Sequence, residues 1–68
     1  MTVASKVKQT LASLKGIEST LRIYSVQSRN KEEIKVCKEG LDTTEAVIKD
    51  IEDRLKTIEF QEPQYKGN

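Results

Sequence analysis

The chain has 68 residues, 35% of them apolar and 34% charged, with 12 basic residues against 11 acidic ones and a net charge of +1. A chain this short makes one small domain and buries too little of its surface to stand without a staple or a partner copy. A single cysteine, Cys37, and no histidine exclude an intrachain disulfide and zinc or haem sites of the usual kinds, which leaves self-association as the expected staple.

From Thr2 to about Ser28 there is no proline and one glycine, Gly16. Apolar residues at Val3, Val7, Leu14, Ile17, Leu21 and Tyr24, with Thr10 filling the one gap, alternate by three and four. This heptad pattern predicts a helix over about 3–27, with Val7, Leu14 and Leu21 on the a line and Val3, Thr10, Ile17 and Tyr24 on the d line. Ser28-Arg29-Asn30 then reads as a polar turn. Asn30, followed three residues later by Glu33, has the form of a capping box that starts a second helix.

That second helix is expected over about 31–61. Ile34, Leu41, Ile48 and Leu55 occupy its a line, and Cys37, Thr44, Ile51 and Ile58 its d line. Pro63 cannot continue a helix, so residues 63–68 read as a polar tail behind a hairpin of residues 1–62. Folding the chain back near residue 29 keeps one register throughout: Tyr24 faces Ile34, Leu21 faces Cys37, Ile17 faces Leu41, Leu14 faces Thr44, Thr10 faces Ile48, Val7 faces Ile51 and Val3 faces Leu55. Every a residue then meets a d residue. The predicted fold is all-α: a long antiparallel two-helix hairpin, coiled-coil-like, that dimerises into a four-helix bundle.

Charge supports the fold-back, because residues 1–31 carry six basic residues against one acidic, a net +5, and residues 32–68 six against ten, a net −4. Off the seam, Leu11 and Val47 widen the apolar stripe and are the expected dimer flank. Gly16 and Gly40 fall near one level of the hairpin, where another helix can approach. No apolar run approaches the 18 or so residues of a membrane span, and no signal-peptide segment follows Met1, so the expected setting is soluble and intracellular.

Nothing in the residues points to catalysis or a cofactor. The many carboxylates of the second helix avoid a and d positions, so they do not face inward as a di-iron bundle requires. Cys37 falls on the seam as a small buried thiol, and the serines have no histidine to activate them. The best case for a ligand is the stripe Lys8, Lys15, Arg22 and Arg29, four basic residues seven apart on one helix line, which can lie on anionic lipid. Duplex nucleic acid is a poorer fit, since few aromatics and no reading motif accompany the stripe. Ile23, Val26 and Val36 are further apolar residues expected near the turn, on a surface suited to docking.

The opening Met1-Thr2-Val3-Ala4-Ser5-Lys6-Val7-Lys8-Gln9-Thr10-Leu11-Ala12-Ser13-Leu14-Lys15-Gly16, the closing Glu62-Pro63-Gln64-Tyr65-Lys66-Gly67 and the Asn30-Lys31-Glu32 turn resemble the domain-of-unknown-function family 1657, short proteins of endospore-forming Firmicutes such as bacilli and clostridia. The resemblance implies a sporulation-linked role in the forespore or spore. It also implies spore membrane channel proteins as possible partners near the inner membrane. It supplies no activity and no catalytic residue. Gly40-Leu41-Asp42 departs from the Ala- and Gln-rich middle that the resemblance implies, and Asp42-Thr43-Thr44-Glu45 has capping-box form. A kink at Gly40 is therefore to be looked for, although the heptad phase passes through it unchanged.

Overall fold

The computed structural model describes residues 3–61. The expected tail at 63–68 lies outside them. Two helices, α1 (Val3–Gln27) and α2 (Lys31–Gln61), form an antiparallel all-α hairpin with overall dimensions of 50 × 17 × 11 Å.

The turn between the helices follows from its side chains. The last α1 bond runs from the Ser28 amide to the Tyr24 carbonyl at 2.9 Å. Asn30 then caps α2, its Oδ1 accepting from the amides of Glu32 at 2.8 Å and Glu33 at 3.2 Å, which satisfies two donors that a helix start leaves open. The reciprocal half of the box is rerouted. Glu33 accepts from the Ser28 hydroxyl at 2.7 Å, and the Ser28 oxygen in turn accepts from the Asn30 amide at 3.4 Å. Ser28 thus bridges the end of one helix and the start of the next.

Helix α2 is continuous through Gly40. Thr44 spends its hydroxyl on the Gly40 carbonyl, 2.7 Å away, inside the helix rather than as a fresh cap. Leu21 lies over Gly40, its Cδ1 3.6 Å from where a Cβ would stand. Gly16, by contrast, has open space around it. The two glycines therefore do not make one docking face.

Among the described residues the core is four side chains, Ala4, Leu11, Ile48 and Leu55, with Val7, Leu14, Ile51 and Ile58 packed against them. On α2 the inward residues are those of the heptad reading, Ile34, Cys37, Leu41, Thr44, Ile48, Ile51, Leu55 and Ile58, all buried or half-buried. On α1 only the a line behaves as expected: Val7, Leu14 and Leu21 are half-buried. The rest of the α1 seam is Ala4, Leu11, Glu18 and Ser25, one position on from the predicted d line. Val3, Ile17 and Tyr24 stay 54%, 50% and 56% exposed. The seam therefore corresponds to α1 turned by roughly 50° about its axis from the predicted orientation, at 100° per residue.

Leu11 changes role with that turn. It was expected to flank a dimer, and it is buried inside the hairpin at 8% exposure. Truncating it removes part of a four-residue core, so Leu11→Ala should lower unfolding stability by about 2–4 kcal/mol. Ile17→Ala should cost less, and its cost should shrink as the chain is diluted, because Ile17 lies outside the hairpin's own core. Urea unfolding of both variants over a range of concentrations checks this.

Candidate interaction surface

The turn of α1 gives the hairpin two unlike broad faces. The residues flanking the α1 seam on one side are Lys8, Lys15 and Arg22. Across from them, also seven apart, stand Glu59, Glu52 and Glu45 on α2. Lys8 Nζ lies 2.9 Å from Glu59 Oε2, Lys15 Nζ 3.2 Å from Glu52 Oε2, and Arg22 Nη2 3.9 Å from Glu45 Oε1. Glu18 joins the ladder through Arg22 at 3.5 Å. Rungs at heptad spacing stay in line because seven residues make almost two whole turns. Each is half-exposed and worth about 0.2–1 kcal/mol, and together they line this face, where Glu52 and Glu59 border a depression with Leu11 and Leu55.

The basic stripe is thus largely engaged within the molecule. Lys8, Lys15 and Arg22 are taken up by the ladder, and of the four only Arg29, in the turn, has no acidic partner among the described residues. Among the described residues no group of acidic or cysteine side chains has the arrangement of a metal site. Neither helix is long and apolar enough to cross a membrane.

The opposite face is open and apolar. The α1 flank on this side is Val3, Thr10, Ile17 and Tyr24, and the α2 flank is Cys37, Thr44, Ile51 and Ile58, with Val47 40% exposed beside them. At the end away from the turn these residues form a shallow groove of about 300 Å³ with Val3, Val7, Thr10, Ile51 and Ile58 along it and Lys6 and Arg54 on its rims. Near the turn, Tyr24 and Cys37 line a second depression together with Glu33.

The hydroxyls on and beside this face are already satisfied. Thr10 donates to the Lys6 carbonyl at 3.2 Å, Ser13 to Gln9 at 3.3 Å, Thr20 to Gly16 at 3.1 Å and Thr44 to Gly40 at 2.7 Å. Covering them strands no donor, so the usual cost of burying a hydroxyl is largely avoided. The sequence signal for this surface was present as the line Val3, Thr10, Ile17 and Tyr24, read there as the inside of the hairpin. The other apolar residues expected near the turn, Ile23, Val26 and Val36, are exposed.

Residues 7–55 match the family described as a protein of unknown function (DUF1657), and the chain belongs to that family. No curated protein and no solved structure matches the chain.

If the ladder ties the helices along one face, reversing its central charge should loosen the hairpin. Lys15→Glu, placed opposite Glu52, should lower stability by about 0.5–1 kcal/mol at low salt. The loss should shrink near 1 M salt, where screening acts over about 3 Å. Thermal melts of the variant and the parent chain at both salt concentrations provide the comparison.

Proposed function

We propose that this chain is a non-enzymatic structural or interaction module that self-associates through its open apolar face, two hairpins stacking into a four-helix bundle. One observation carries the reading: the hairpin is one-sided, with an ion-pair ladder over one face and Val3, Ile17, Tyr24, Ile51 and Ile58 along the other. Size supports it. The broad face measures 50 by 17 Å, in outline about 850 Å², close to the roughly 800 Å² per partner of a standard-sized interface. Need supports it too, since the four buried side chains among the described residues make a small core for an independent fold.

The setting we propose is the spore, and it rests on the resemblance of the end blocks rather than on the geometry. A peripheral role on anionic lipid is less well supported, because three of the four basic residues it would use are paired with Glu59, Glu52 and Glu45.

The test is molar mass by sedimentation over a hundredfold dilution, with helicity followed at the same concentrations. The expected mass is twice the 7.7 kDa of one chain, with mass and helicity falling together on dilution. Ile17→Glu, which puts a charge on the open face, should shift the chain to the monomer. Val26→Glu, at a position 79% exposed and away from that face, should leave the mass unchanged. A fully helical monomer at every concentration would overturn the reading.

A further inference from the structure

One line on the rim of the open face has a property that bears on how two copies meet. Along α2 the residues beside Cys37, Thr44, Ile51 and Ile58 are Glu33, Gly40, Val47 and Arg54, again seven apart and so in one row. Read in the opposite direction, the row is its own complement. An acid stands where a base will meet it, and a missing side chain stands where a valine will.

We propose, building on the self-association above, that the two hairpins pair end over end. In this arrangement α2 runs antiparallel against the partner's α2, with Glu33 against the partner's Arg54 and Val47 over the partner's Gly40. A two-fold axis crossing the hairpin midway between Gly40 and Val47 makes both contacts at once, each twice by symmetry. The groups are free to do so. Arg54 holds Asp50 through Nε at 3.1 Å, which leaves its terminal amino groups, and Glu33 uses Oε2 for Ser28, which leaves Oε1. Val47 stands 40% exposed on this row, and Leu21 flanks Gly40, its Cδ1 3.6 Å from where a Cβ would stand, so the partner's Val47 meets Gly40 and Leu21 together.

The same axis acts on α1. Leu21 lies against Gly40, so the level midway between Gly40 and Val47 falls near residues 16 to 18 of α1. Reversal about that level carries Tyr24, 56% exposed, to the end groove of the partner, the one lined by Val3, Val7, Thr10, Ile51 and Ile58. An aromatic ring then enters an apolar depression, the kind of anchor that dominates interfaces.

The alternative two-fold axis runs along the hairpin, with both turns at one end. It stacks α1 on the partner's α2 at the same level. Lys6 and Arg54 rim one groove from its two sides, so that stacking sets Lys6 against the partner's Arg54, twice. Like charges at an interface select against such an arrangement.

The experiment combines charge exchange with a distance. In the end-over-end dimer, Arg54→Glu should weaken association about tenfold, as should Glu33→Arg, because each change breaks two symmetry-related pairs and sets like charges together. The double variant should restore association to within about threefold, with circular dichroism confirming that all three chains are helical at high concentration. Spin labels at Arg29→Cys in a Cys37→Ser background should lie on the order of 40 Å apart, from 1.5 Å per helical residue. If Arg54→Glu tightens the dimer and the labels lie within about 20 Å, the hairpins stack with their turns together and the proposal is wrong. A parent chain that dimerises while failing these tests overturns the orientation alone. A parent chain that stays monomeric overturns self-association itself.

Discussion

The orientation of α1 about its own axis is the constraint on which the rest of the molecule depends. Val7, Leu14 and Leu21 give α1 one fixed line, and two stripes lie on either side of it: Val3, Thr10, Ile17 and Tyr24, or Ala4, Leu11, Glu18 and Ser25. Only one can complete the seam. With the second inside, Lys8, Lys15 and Arg22 come to the rim opposite Glu59, Glu52 and Glu45, and the first stripe is left on the surface. With the first inside, the basic stripe would point well away from α2 and the ladder could not form. The choice of seam thus decides at once which face is lined by charge and which is left apolar.

This explains why α2 was legible in the sequence and α1 only by half. On α2 the a and d lines carry the one unbroken three-four series, with Val36, Val47 and Phe60 lying off it singly and Glu45, Glu52 and Glu59 beside it, so periodicity has one answer. The cap was equally plain, because an asparagine side chain at Asn30 has few other uses three residues before a glutamate. On α1 the apolar residues straddle the shared line. Counting size favours Val3, Ile17 and Tyr24 over Ala4, Glu18 and Ser25, and the count treats the hairpin as if burial within it were the only gain. Three cross-helix ion pairs at about 0.2–1 kcal/mol each rival the further burial of a half-exposed isoleucine, about 1 kcal/mol at 25 cal/mol per Å². Pair energies of that kind are invisible to a heptad tally taken one helix at a time. The Ser28 bridge was missed for a similar reason: the hydroxyl serves both helix ends, and a motif read as two residues has no place for a third.

The apolar stripe left outside looks like a local conflict in a single hairpin. In the proposed bundle it is not one, since Ile17 and Tyr24 are then buried by the partner while Leu11 and the ladder keep their places. Places where a chain breaks a local rule are commonly where it does its work. The hydroxyls interleaved with the apolar residues, on Thr10 and Thr44, bond back to their own helices, so covering them strands no donor.

The two faces also respond differently to ionic strength, and this bears on how the assembly holds together. Screening weakens half-exposed pairs such as Lys15–Glu52, since the Debye length falls from about 8 Å at physiological salt to about 3 Å at 1 M. Apolar burial is not weakened by that screening, and some salts strengthen it. In the proposed bundle, rising salt weakens the ladder within each hairpin and the Glu33–Arg54 pairs between hairpins alike, and leaves cohesion to the apolar contacts of the open face. A module built this way is least dependent on its partner in dilute buffer and most dependent on it at high ionic strength, because the ladder that helps one hairpin stand alone is a part that salt removes.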